Sequence, residues 1–291
     1  MSMPEKRPVI VGTDGSPSAA RAVEWAADEA ADLDCPLHIV TAADTWIYGV
    51  PAVPTDDQGH HLAEAGRSTV AAARVLALER RPDLTVTTRV ELDAPVRALV
   101  KASHGARLTV VGSRGLGGFA GLMLGSVGLR VTVRAAGPVA VVRGNGDPRD
   151  EGRVVVGVDL SEQSALALRY AFEAARRRGA ELQIVHAFQL EPAIVRTGYL
   201  VNVHETEQAM GARVREEYGG WHERYPGVAA TELVVQDHPV HALVEASKDA
   251  DLVVVGAHGR GHVAAALMGS VGHGVLHHAH CPVALVRPEP L

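Results

Sequence analysis

The chain has 291 residues, 47% hydrophobic and 21% charged, the balance of a globular protein long enough for two domains with a sizeable core in each. A formal charge of -6 argues against non-specific attraction to nucleic acid or an anionic membrane, no segment reaches about 18 uninterrupted apolar residues, and the apolar run after MSMPEKR is too brief for a secretory leader. Cys35 and Cys281, far apart and each before a proline, form neither a disulfide framework nor a metal spacing, so the expectation is a cytoplasmic protein acting on small molecules or proteins.

In chain order, PVIVGT predicts a first strand at 8–13. Pro17 suits the first turn of a helix over 17–33, where Ala22, Val23, Ala26, Ala27 and Ala30 make one apolar stripe. Strand LHIVTA (37–42) leads into an irregular stretch with four Pro or Gly residues between Gly49 and Gly59, then a long helix over 57–81. LTVTTRVEL (84–92) alternates as a strand should, and helix APVRALVKASH (94–104) follows. Strand RLTVV (107–111), a glycine-rich loop, helix SVGLRVTVRAA (126–136) and strand PVAVV (138–142) complete the first half.

The second half repeats the first. RPVIVGTDGSPSAA (7–20) matches RVVVGVDLSEQSA (153–165), setting Asp14 opposite Asp159. DAPVRALVKASHGARLTVVG (93–112) matches DHPVHALVEASKDADLVVVG (237–256), and GPVAVVR (137–143) matches CPVALVR (281–287). The offset is 145 at Asp14 and 144 from Asp93 onward, the mark of a duplication, with the second long helix over 205–224. GNGDPRDEG (144–152) reads as a linker, giving domains 1–143 and 153–291. Short apolar strands alternating with helices imply parallel sheets covered on both faces. The fold class is α/β: two tandem Rossmann-like, doubly wound domains, each with a five-stranded parallel sheet and about four helices. In such sheets the ligand crevice lies beyond the carboxyl ends of the strands, where strand order reverses, and Asp14 and Gly112 sit at two strand ends.

The glycine loop is the chemical signal. Gly112, two residues, Gly115, nine residues and Gly125-Ser126 recur as Gly256, two residues, Gly259, nine residues and Gly269-Ser270. Glycines at a strand exit let backbone approach a ligand, Ser126 and Ser270 are expected to cap the next helix, and the free amides of that helix start favour an anion, phosphate above all. No Gly-Lys-Ser/Thr occurs, and GTDGSPS after the first strand is not the GxGxxG fingerprint, so binding is expected to rest on backbone donors.

With the VGxD of each first strand and the closing PVxxVR, this pattern resembles the universal stress protein family, whose ATP-binding members carry G-2x-G-9x-G-[ST]. The resemblance covers nearly the whole chain as a tandem pair. It implies an adenine-nucleotide pocket in each half, hence two ATP molecules per chain, with Mg²⁺ as a companion ion, and a homodimer formed through the last strand. Carried over by position, Gly12 and Asp14 lie near the adenosine; Gly112, Ser113, Arg114, Gly115, Leu116, Gly117 and Gly118 wrap ribose and phosphates; and Gly125, Ser126 and Val127 close the far side. The second set is Gly157, Asp159, Gly256, Ala257, His258, Gly259, Arg260, Gly261, His262, Gly269, Ser270 and Val271. The cations differ, Arg114 in one loop against His258 and Arg260 in the other, so unequal affinities are expected.

Other features read as structural. His258, His262, His273, His277, His278 and His280 crowd the second copy, but no HExxH glutamate accompanies the i, i+4 pair His273 and His277, and the first copy has Leu129 and Val133 there. Asp14 and Asp159 lack a repeated nearby base or nucleophile, which favours ligand contact over catalysis. Trp25 and Tyr170 read as packing residues and EAARRRGAE (173–181) as a solvated helix end. The expectation is a nucleotide-responsive regulator of growth or survival under stress, not an enzyme. A slow Mg²⁺-dependent ATP hydrolase or phosphotransferase working through either Asp, and a cyclic-AMP-binding module, are the alternatives.

Overall fold

The computed structural model describes residues 6–43, 46–47, 50–51, 56–116, 124–144, 151–189, 202–257 and 268–288. They fall into two compact units that part between Arg143 and Gly144.

In the first unit, β1 (Val9–Gly12), α1 (Pro17–Asp32) and β2 (Leu37–Ala42) precede a two-residue pair, β3 (Trp46–Ile47) with β4 (Val50–Pro51). Then come α2 (Asp56–Arg80), β5 (Val86–Glu91), α3 (Pro95–Ser103), β6 (Leu108–Gly112), α4 (Ser126–Arg134) and β7 (Val139–Val142). The sheet is parallel, ordered β7-β6-β1-β2-β5. Val9 pairs with Leu37 on one side and Leu108 on the other, so the chain winds outward from β1 in both directions. Val9, Val11, Leu37, Ile39, Val110, Val139 and Val141 are fully buried. Continuous apolar strands, rather than alternating ones, follow from cover on both faces.

The second unit has β8 (Arg153–Gly157), α5 (Glu162–Arg178), β9 (Glu181–Phe188), α6 (Val203–Tyr218), α7 (Gly220–Arg224), β10 (Ala230–Gln236), α8 (Pro239–Ala246), β11 (Leu252–Gly256), α9 (Ser270–His278) and β12 (Val283–Val286). Its order, β12-β11-β8-β9-β10, is the same winding. The long helix expected over 205–224 is two helices, because the chain breaks at Gly219-Gly220. In the first unit, the stretch expected to be irregular holds the β3–β4 pair.

The copies close the same helix–helix joint with different chemistry. In the first unit the Asp28 side chain is 1% exposed and takes Arg80 Nη2 at 2.9 Å and Arg81 Nε at 2.7 Å. The sequence ERRP (79–82) becomes ERYP (223–226), and Ala27 becomes Phe172. There Tyr225 stacks on Phe172, centroids 5.1 Å apart, and Trp221 lies 5.9 Å from Phe172 with an interplanar angle of 11°. Trp25 is buried in the core, as its packing role requires.

Candidate functional site

Both strand-order reversals lie between neighbouring strands, β1 and β6 in one unit, β8 and β11 in the other. At the first, β1 delivers Thr13 and Asp14. Gly15 turns the chain with φ +80, and Ser16 caps α1 by accepting from the Ala19 amide. The turn is tied internally, since Thr13 Oγ1 accepts from Gly15 N at 3.2 Å and Asp14 Oδ1 from Ser16 N at 3.0 Å.

From β6 the chain runs straight into the glycine loop, and most of the described loop amides are used by the protein itself. Ser113 N donates to Val142 O, Arg114 N to Ser18 Oγ and Leu116 N to Asp14 Oδ2 at 2.8 Å. Gly125 N donates back to Ser113 O at 2.8 Å, closing the loop on the start of α4. This narrows the expected cradle. Among the described loop amides Gly115 N has no hydrogen bond to the protein, and it lies 3.8 Å from where a Cβ on Gly125 would sit. Beyond Gly125, the amides of Ser126 and Val127 begin α4, where a helix offers unpaired N–H groups and partial positive charge. Arg114, exposed beside them, adds a permanent cation.

Each glycine has its own reason. A Cβ on Gly112 would meet Ser18 O at 2.8 Å, so its absence lets the first turn of α1 rest on the end of β6. A Cβ on Gly115 would lie 2.5 Å from Asp14 Oδ2, so Asp14 reaches the loop only because Gly115 is bare. The open side of Gly12 faces Leu99, and that of Gly157 faces Leu243, each at 2.8 Å. Gly125 has only ordinary contacts, from 3.6 Å, and an extended backbone that any residue adopts (φ -72, ψ 153).

The capping expectation is corrected. Gly125 and Gly269 occupy the N-cap positions, Ser126 and Ser270 are the first helical residues, and neither helix has a side-chain cap bond. A glycine needs no cap side chain to take the extended N-cap geometry, and a serine one residue later stands past the position from which a side chain caps.

In the second unit Asp159 Oδ1 accepts from Ser161 N at 3.1 Å and from the hydroxyls of Ser161 and Ser164, each at 2.5 Å. Leu160 takes the left-handed turn position with φ +59, the place of Gly15. Tyr218, 2% exposed, sits beneath, and burial raises its pKa, with Ser164 and Asp159 close by. Nothing in the sequence signals Tyr218, which stands on α6 far from any motif. Ala257 N donates to Val286 O and Gly269 N to Ala257 O, repeating the loop closure of the first unit. Gly117, Gly118 and the stretch His258, Gly259, Arg260, Gly261 and His262 lie outside the described residues.

Among the described residues no group of three or more His, Cys, Asp or Glu converges as a metal centre. The His273 and His277 rings lie 4.5 Å apart on α9. No helix among the described residues is long and apolar enough to cross a membrane.

Comparison with known proteins agrees with this geometry. The model of the universal stress protein family matches residues 6–143 and again 152–287. A universal stress protein of Mycobacterium tuberculosis is 38% identical over 296 residues, covering 99% of each chain. One from Mycolicibacterium smegmatis is 34% identical over 291 residues, covering 97% of each. The crystal structure of a universal stress protein from Archaeoglobus fulgidus superposes with a TM-score of 0.71 at 18% identity, covering 98% of this chain and 97% of that one, which attests the fold.

Proposed function

Because the chain belongs to the universal stress protein family, as a tandem pair of its domains, we propose that it binds one ATP in each unit and uses occupancy to regulate growth or survival under stress, without turning ATP over as an enzyme. The observation that carries this is the convergence of Gly115 N with the first amides of α4, under a bare Gly125, at the strand-order reversal. A triphosphate there gains backbone hydrogen bonds, the helix dipole and the Arg114 charge. The repeated closure, Gly269 N to Ala257 O, supports the same reading of the second unit. Mg²⁺ arrives with the nucleotide on this reading, since among the described residues neither Asp14 nor Asp159 stands in an acidic cluster. A homodimer through the last strands, Val139–Val142 and Val283–Val286, belongs to the same proposal, and light scattering at micromolar concentration tests it, a monomer counting against it.

The test uses the tolerance of the backbone at the two N-cap glycines. Gly125→Leu and Gly269→Leu keep allowed conformations, so the variants fold while their side chains fill the cradle. Each is expected to lose one ATP per chain by equilibrium dialysis, and the double variant both. A folded double variant that retains two ATP rules the proposal out, and displacement of ATP by equimolar cyclic AMP identifies the cyclic nucleotide as the ligand instead.

A further inference from the structure

We infer that His273 and His277 form a two-imidazole site on α9 for a nitrogen-preferring divalent metal ion of the Zn²⁺, Ni²⁺ or Cu²⁺ kind. The inference does not rest on the nucleotide reading. The two residues stand four apart on a helix of nine, so their side chains share one face a turn apart. Their ring centroids are 4.5 Å apart, with the planes tilted by 46°. An ion held at about 2.0–2.1 Å from one nitrogen of each ring spans such a gap. The backbone presents the pair rigidly. Val275 and Leu276, between them in the chain, are fully buried, and the bare flank of Gly274 lets Val240 of α8 lie 2.7 Å from where a Cβ would stand. Two donors carried on one packed helix meet less of the ordering cost that donors on separate loops would meet.

The charge environment suits a cation, because His277 lies in the last turn of α9, at the negative end of the helix dipole. His277 Nε2 is shielded from solvent while His273 is exposed, so the ion arrives over His273, and ligation turns the His277 ring about its soft terminal torsion. Imidazole nitrogens select ions of the zinc, copper and nickel kind over Mg²⁺ and Ca²⁺, which take oxygen. No third His, Cys, Asp or Glu converges on the pair among the described residues, so the site lacks the four protein ligands of structural zinc. Solvent completes the coordination, and the ion binds reversibly. The matching places in the first copy hold Leu129 and Val133, which makes the pair particular to the second unit.

The experiment follows the histidine ring resonances of the full, nucleotide-free chain by NMR as zinc chloride is added, with magnesium chloride in a parallel titration. One equivalent of Zn²⁺ should move the His273 and His277 rings together, ahead of every other histidine, while Mg²⁺ moves neither. His273→Leu and His277→Val install the residues that the first copy carries, so both variants are expected to fold, which their metal-free Tm checks. Each should abolish the response of the remaining ring at one equivalent. If His277→Val does not fold, His273→Leu, at an exposed position, gives the same reading through the His277 ring. A remaining ring that responds as in the parent chain overturns the inference, as does Zn²⁺ that reaches other histidines first or an equal response to Mg²⁺.

Discussion

Leu160 occupies a turn with φ +59, where its counterpart in the first unit is Gly15 at φ +80. An L-residue pays about 1 kcal/mol or more for this conformation, so Leu160→Gly should raise the stability of the second unit by about 0.5–1 kcal/mol in urea unfolding, unless the half-buried side chain contributes more than the strain costs. A loss of stability would show that it does. Just past β5 and β10, Asp93 pairs with Arg97 and Asp237 with His241, each four residues on, so one copy holds a permanent ion pair where the other holds a titratable one. The hydrogen bond and charge of Asp237 raise the His241 pKa above 6.5, and His241 lowers that of Asp237 below 3.8. The histidine contribution is complete below pH 6.5 and fades as pH rises through its raised value; the aspartate contribution is complete above pH 3.8 and fades as pH falls through its lowered value. Asp237→Asn should therefore return the His241 titration, followed by NMR, toward 6.5, and no change would show that the exposed pair is not formed in solution. Cys35 and Cys281, whose settings in the sequence form no disulfide framework, are buried thiols that are not joined in a disulfide.

At the level of the element, the joint between the first helix of a unit and its long helix holds the clearest contrast. Arg80 and Arg81 are about two-fifths exposed while Asp28 is almost wholly buried, so the cost of breaking the clamp falls on the carboxylate. Replacing both arginines by alanine strips Asp28 of these guanidinium partners and should destabilise the first unit by about 3 kcal/mol. Arg224, which lies 5.2 Å over the Trp221 ring at the other joint, is exposed, and Arg224→Ala should cost about 1 kcal/mol or less. Equal losses in chemical unfolding would contradict this ordering. The strands and most helices were legible because a buried parallel strand needs an unbroken apolar run and each helix needs one apolar stripe. Gly219-Gly220, where the expected single helix divides, is a pair of adjacent poor helix formers. The β3–β4 pair is too short to leave a pattern. Neither the Asp28 clamp nor the Phe172 stack was legible, since both depend on residues about 50 apart meeting in space. The same limit hid the tie from Asp14 to Leu116: spacing revealed that the loop could bind an anion, but not which of its amides the protein keeps for itself.

For the whole molecule, duplication preserves the winding, the strand ends and the loop closures while the joints and turns diverge. What the two halves share is what an anion site at a strand-order reversal requires, a bare N-cap glycine folded back onto the strand exit. On the proposed reading, the turn residue that differs, Gly15 against Leu160, and the Ser161 and Ser164 hydroxyls that only Asp159 is seen to accept among the described residues, would set the two sites apart in affinity. Calorimetric titration of the purified, nucleotide-stripped chain with ATP measures both properties at once. Two molecules bound per chain, with distinguishable dissociation constants, is the expected result; saturation at one, or no binding, contradicts the account.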